Sequence, residues 1–265
     1  MKTKKYLGRS FIYLMLAVMY LPILVLVIYS FTATKTIGGE WSGFTFSLYA
    51  KVFTDAEMMG AVGNSLLVAL VSSVLATFIG TLAAVGIYYT RKKWYKMLLN
   101  VTSQVTMVNA DIVTGVSFMM LFLALNMIPK GYVTLIISHT MITTPYVIMN
   151  VMPRLAQLNP NLYEAGLDLG AGPVRTFFTV LLPQLVPSMI SGFALAFTLS
   201  LDDFVVTKFV NGDVSTISTY LYNKIAKKGV MPELRALSAL IFIVILAVLV
   251  AINVTSYRRR KKNAK

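Results

Sequence analysis

The sequence predicts an all-α membrane protein with six transmembrane helices, and three observations carry that expectation. Hydrophobic residues make up 57% of the 265, against about 45–50% apolar, glycine included, in an average soluble domain. The excess falls into six long runs with few or no charges, the pattern a bilayer selects rather than one large soluble core. The chain has 24 Lys and Arg against 10 Asp and Glu, a formal charge of +14, and the basic residues gather between the apolar runs. That placement suits the ends of membrane spans and argues against a nucleic-acid partner.

The six runs extend from Phe11 to Phe31, Val62 to Tyr89, Leu98 to Leu125, Tyr132 to Met152, Leu185 to Val206 and Ala236 to Ser256. At 1.5 Å per residue each crosses a hydrocarbon core of about 30 Å. Lipid cannot satisfy backbone N–H and C=O groups, so spanning segments must be helices or a closed barrel. The runs are continuous rather than alternating, which excludes the barrel. The first run follows basic residues, as a signal peptide does, but it is longer than a signal core and is read as a retained span. The third run, about 42 Å long as a straight helix, exceeds the core, and a break near Asn109 is expected.

The loops set an expected orientation. If the N-terminus is inside, Lys2, Lys4, Lys5, Arg9, Arg91, Lys92, Lys93, Lys96, Arg154, Arg175, Arg258, Arg259, Arg260, Lys261, Lys262 and Lys265 are all cytoplasmic, sixteen of the 24 basic residues. This bias places both termini in the cytoplasm. The expected layout is a cytoplasmic tail over 1–10, a membrane domain over 11–257 with an inner loop at about 153–178, and a basic cytoplasmic tail over 258–265. No repeat of 20–50 residues is visible. The absence of cysteine excludes disulfides, thiolate metal sites and cysteine nucleophiles.

The inner loop is the one cytoplasmic segment of any size besides the tails. Asn159 is a good N-cap and Pro160 suits a first helical position. Leu162, Ala165, Gly166 and Leu169 share one helical face. Gly170 and Gly172 are stops, and Pro173 opens a second helical stretch. Glu164 and Asp168 sit four apart and offer carboxylates to a partner, while the small residues at 165 and 166 permit its close approach. Physics alone equally allows a solvated connector.

Glu164-Ala165-Gly166, three residues, Gly170, nine residues, Val180, one residue and Leu182-Pro183 resemble the EAA motif of permeases from bacterial binding-protein-dependent ABC importers. Every spacing agrees, with Gly166 in place of Ala and Val180 in place of Ile. The resemblance implies a type I ABC importer (MetI-like) permease fold. It also implies a coupling helix in which Glu164, Ala165, Gly166, Asp168 and Gly170 meet a cytoplasmic ATPase. Closure of two ATPase subunits would move the docked helices and switch access across the membrane.

Acids at membrane depth are costly and usually functional. Asp111 lies mid-way along the third run beside Asn109, and Asp202 and Asp203 lie at the outer end of the fifth. The segments around Asp111-Ile112-Val113 and Ser200-Leu201-Asp202-Asp203-Phe204-Val205-Val206, with the opening Tyr20-Leu21-Pro22-Ile23, are similar to the second permease subunit of spermidine/putrescine importers. That resemblance implies a heterodimer with a second, homologous permease, a pair of ATPase subunits and an extracytoplasmic polyamine-binding protein in a bacterial plasma membrane. Carboxylates and aromatic faces suit a polycation, and Asp111, Asp202, Asp203 and Asn109 are the expected substrate path, with Phe204, Tyr146 and Phe118 as candidate aromatics. Relatives that carry iron, thiamine or phosphonates share the fold. An ion-coupled secondary transporter using Asp111 or His139 is the alternative from another class.

Several signals carry little. His139, alone in the chain, forms no metal site by itself and is expected to hydrogen-bond to a neighbouring helix. No Gly-rich phosphate loop is present, so this chain is expected to bind no cofactor, with ATP and Mg held by the separate ATPase. No catalytic triad recommends an enzyme.

Overall fold

The computed structural model describes residues 2–32, 34, 43–125, 129–159, 161–229 and 231–263. The helices are α1 (Lys2–Tyr29), α2 (Ser47–Thr54), α3 (Ala56–Tyr89), α4 (Lys93–Val108), α5 (Asp111–Leu125), α6 (Tyr132–Gln157), α7 (Asn161–Asp168), α8 (Pro173–Thr176), α9 (Leu182–Asp202), α10 (Val205–Val210), α11 (Ile217–Lys228) and α12 (Pro232–Asn263). A five-residue π-helical stretch, Phe177–Leu181, joins α8 to α9. Among the described residues, α1, α3, α6 and the continuous rod Pro173–Asp202 are long and apolar enough to cross a membrane. The sixth expected run lies in α12.

The third run departs from a single straight span: α4 and α5 meet at 105°. Asn109 ends α4 with extended backbone (φ −67°, ψ 143°), and its side-chain amide donates to Thr114 Oγ1 at 2.9 Å. Asp111 then opens α5, where a negative charge complements the positive helix end. The fifth run is also corrected. Helix α9 stops at Asp202 rather than Val206, and the chain turns back through α10. Both basic termini, expected as tails, are largely helical, since α1 starts at Lys2 and α12 continues to Asn263.

Two compact units account for the packing. In the unit formed by 1–59 and 221–265, Leu48 and Val52 of the amphipathic α2 are buried. Ser30 Oγ lies 2.6 Å from the Tyr49 hydroxyl, and the rings of Phe31 and Tyr49 pack at 5.3 Å. Lys51 pairs with Glu233 at 3.3 Å and Lys224 with Glu57 at 2.8 Å. Arg235, buried, donates to the Thr34 carbonyl.

The unit formed by 60–220 is built on α6, whose main neighbour is α9. Val147 is fully buried between small residues. A Cβ on Gly80 would stand 2.8 Å from Val147 Cβ, and one on Gly192 3.3 Å from Val147 Cγ1. Without a hydrophobic force between helices in lipid, close approach of this kind carries the association. A second cluster joins Val68, Phe122, Leu135, Val206 and Val210, and fastens α10 against α3, α5 and α6.

Candidate functional site: an acidic cavity and an exposed loop

The corner between α9 and α10 exists because Asp203 caps α10. Its Oδ2 accepts from Thr207 N at 2.7 Å and Thr207 Oγ1 at 2.8 Å, and its Oδ1 from Val206 N at 3.4 Å. The backbone at Asp203 is extended (φ −63°, ψ 127°), which turns Phe204 and Val205 toward the break between α4 and α5. The two interruptions, far apart in sequence, thereby enclose one cavity of about 300 Å³.

Its wall brings together Asp111, Asp202 and Asp203 with the rings of Tyr146 and Phe204 and the hydroxyls of Thr106, Thr114 and Thr143, and contains no lysine, arginine or histidine. Asp202 sits at the C-terminal end of α9, where the helix dipole is negative, so charge and dipole attract a cation together. Asp111 and Asp202 are exposed, while Asp203 is mostly covered. Three of the four residues expected on the substrate path therefore converge. Asn109 does not join them. It faces a separate depression on α4 with Val101, Gln104, Val105 and Val108, and reaches the wall only through its bond to Thr114. Phe118 is likewise outside, stacked on Phe122 with centroids 6.2 Å apart.

Behind the cavity lies a polar line absent from the sequence reading. His139, with 1% of its surface exposed, places Nδ1 2.7 Å from Ser200 Oγ and Nε2 2.9 Å from Thr207 Oγ1. Ser200 Oγ is 3.0 Å from Ser72 Oγ, which donates to the Val68 carbonyl at 2.6 Å. The expected bond from His139 to a neighbouring helix is present, to two elements at once. Hydroxyls at 72 and 200 within the apolar runs, and at 207 just past the fifth, were the signal available in the sequence.

The connecting loop forms the expected helix, turn and second helical stretch. Pro160 lies outside the described residues, but Asn159 Oδ1 accepts from Asn161 N at 3.0 Å. Gly170, at φ +81°, closes α7 with a Schellman pair: Gly170 N donates to the Leu167 carbonyl at 2.9 Å and Ala171 N to the Gly166 carbonyl at 3.2 Å. Glu164, Ala165, Asp168 and Gly170 are exposed, as is Leu169, at 87%. Gly166 differs from expectation. It is buried, and a Cβ there would meet Thr176 Cγ2 at 2.5 Å. Its small size lets the loop close on itself against Thr176.

A family model described as the binding-protein-dependent transport system inner membrane component matches residues 76–262. The chain belongs to that family. It is a multi-pass permease of an ABC importer, a non-catalytic subunit that works with a separate ATPase and a binding protein. The ion-coupled alternative is set aside on that ground. The permease is 37% identical over 232 residues to the putrescine transport system permease protein PotI of Escherichia coli K12, covering 84% of this chain and 81% of the relative. It is 33% identical over 245 residues to the spermidine/putrescine transport system permease protein PotC of Haemophilus influenzae, covering 92% and 94%. Among solved structures, a bacterial ABC transporter involved in the import of the acidic polysaccharide alginate matches with a TM-score of 0.70 at 17% identity, over 98% of the permease and 99% of that chain. That likeness is one of fold.

Proposed function

We propose that this permease imports polyamines, and that the cavity bounded by Asp111, Asp202 and Asp203 is the part of the path that handles the polycation. The observation that carries the reading is the composition of one wall: three carboxylates, two aromatic rings and no basic side chain. Linear polyamines are cations at neutral pH. Carboxylates attract their ammonium groups, and Tyr146 and Phe204 supply cation–π faces. An anionic solute such as a phosphonate would be repelled there. The names of the relatives, putrescine and spermidine/putrescine permeases, agree with this cargo.

The loop around Glu164–Gly170 is the proposed ATPase contact. Glu164, Ala165, Asp168 and Leu169 form its exposed face, and Gly166 and Gly170 hold its shape. The bias of basic residues toward the inner loops supports a cytoplasmic position for this face and for both termini. The proposed assembly has a second homologous permease, two ATPase subunits and an extracytoplasmic polyamine-binding protein. ATP-driven closure of the ATPase pair shifts the docked loops and alternates access to the cavity.

The test is uptake of labelled spermidine and putrescine by cells that lack their own import and express the full complex. A parallel strain carries an ATPase disabled in its phosphate loop. Uptake that depends on the active ATPase is the expected result. An assembled complex that imports neither polyamine overturns the cargo assignment.

A further inference from the structure

His139 is the one histidine of the chain, and nothing in the proposed path uses it. Its surroundings can be counted proton by proton. Five contacts run in one line: Val68 carbonyl to Ser72 Oγ, Ser72 Oγ to Ser200 Oγ, Ser200 Oγ to His139 Nδ1, His139 Nε2 to Thr207 Oγ1, and Thr207 Oγ1 to Asp203 Oδ2. Both ends, a carbonyl and a carboxylate, are pure acceptors. Three hydroxyls and a neutral imidazole supply four protons for five contacts, which leaves one buried oxygen pair or oxygen–nitrogen pair without a proton. One more proton, resting on Nε2 of the imidazole, fills the line: Nε2 donates to Thr207 Oγ1 and the Thr207 hydroxyl to Asp203 Oδ2. The ring also stands 3.6 Å from Asp203 Oδ2.

No other ionisable group adjoins the ring among the described residues. Helix α3 presents Ser72, α9 presents Ser200 and α10 presents Thr207, while Asp203 comes from the corner between α9 and α10. Asp111, Asp202 and Tyr146 are the titratable groups farther along the cavity wall.

We propose that the His139–Asp203 pair is a binding site for one exchangeable proton, and that the proton and the cationic cargo compete for it. This rests on the reading of the cavity as a cation path. With the cavity empty, the pair holds the proton and the line is complete. When a cargo ammonium group pairs with Asp203, Nε2 passes its proton to Thr207 Oγ1, the Thr207 hydroxyl proton passes to Asp203 Oδ2, and from there one proton leaves to the cavity water. One positive charge enters and one departs, so the site's charge is conserved. When the cargo moves on, a proton from water returns by the same atoms. Carboxylates that attract a polycation also retain it, and the returning proton releases their hold.

The single histidine makes the test direct. The full complex is reconstituted in lipid nanodiscs with isotope-labelled histidine in this chain alone, and the one imidazole is followed by NMR from about pH 8 to about pH 5, the window in which histidine ordinarily changes charge. The expected result is an imidazolium signal that grows as pH falls and that, in Asp203→Asn, is about tenfold or more weaker at the same pH. A ring that stays neutral throughout, or that titrates alike in both proteins, overturns the proposal. In the second arm, proteoliposomes take up spermidine from a saturated binding protein. Uptake by the native complex declines in acid, and His139→Gln flattens that profile. A His139→Gln profile that follows the native one also overturns the proposal. The spectra require no cargo, so failure of the polyamine reading shows as absent native uptake while the spectra still decide the proton site.

Discussion

The connecting loop and the acidic cavity use their polar residues in opposite ways. The loop sets Glu164 and Asp168 on the outside of one short helix and depends on backbone shape, held by the Schellman turn at Gly170 and the contact of Gly166 with Thr176. The cavity collects its acids from two separate helices and a corner, and depends on charge backed by a buried line of hydroxyls and imidazole. Shape should therefore be the sensitive variable in the loop and charge in the cavity, and substitutions that alter one without the other separate the two.

The largest effect is expected from Gly170→Arg, which a φ of +81° disfavours, or Glu164→Arg, which sets a longer side chain on the exposed docking face. Each should reduce polyamine uptake to the level of a complex with a disabled ATPase, with the protein still inserted at normal amounts by immunoblot of membranes. Normal uptake by either variant would remove the loop from the docking surface. Next, Asp203→Asn preserves the size of the cap while removing its charge, and uptake should fall about tenfold, equivalent to about 1.4 kcal/mol of transport barrier. Asp111→Asn, at an exposed position, should lower it about two- to fivefold, in keeping with the smaller worth of exposed charge pairs. Equal native rates in both would show that charge does not govern the cavity. Gly166→Ala, which restores the residue of the EAA pattern, should instead destabilise this chain by about 1–3 kcal/mol through overpacking, read as a lower melting temperature of the purified complex. Thr176→Ser removes Cγ2 and keeps the hydroxyl, so the double variant should regain most of the loss. The smallest effect belongs to Phe118→Leu, which should cost about 1 kcal/mol or less of stability and leave uptake unchanged, whereas Tyr146→Leu should impair uptake.

The ease of reading these regions from sequence followed from the same difference. In the loop, Asn159, Gly170 and Pro173 act on neighbours within a few residues, so helix, turn and restart were legible. The inward direction of Gly166 was not, because it depends on Thr176, ten positions on. Six apolar runs declared the helices. Their interruptions were harder: Asn109 gave warning of a break, but a bend of 105° is set by what α5 packs against, chiefly Phe209 and Val206 of α10 on Gly115. Asp111, Asp202 and Asp203 stood out as acids in apolar surroundings, and their meeting in one wall required both interruptions to face each other. Ser72, Ser200 and Thr207 are scattered along the sequence and share no spacing that would join them. Only the fold puts His139 between them.

The rod from Pro173 to Asp202 runs unbroken from the proposed ATPase contact to the acidic corner, about 45 Å at helical rise. It lies against α6 along that length, at Gln184 beside Arg154, at Gly192 on Val147 and at Ser200 beside His139. Two helices braced at three heights would move together as one stiff plate. A push at the motor would thus carry the acidic corner and the imidazole behind it in a single displacement.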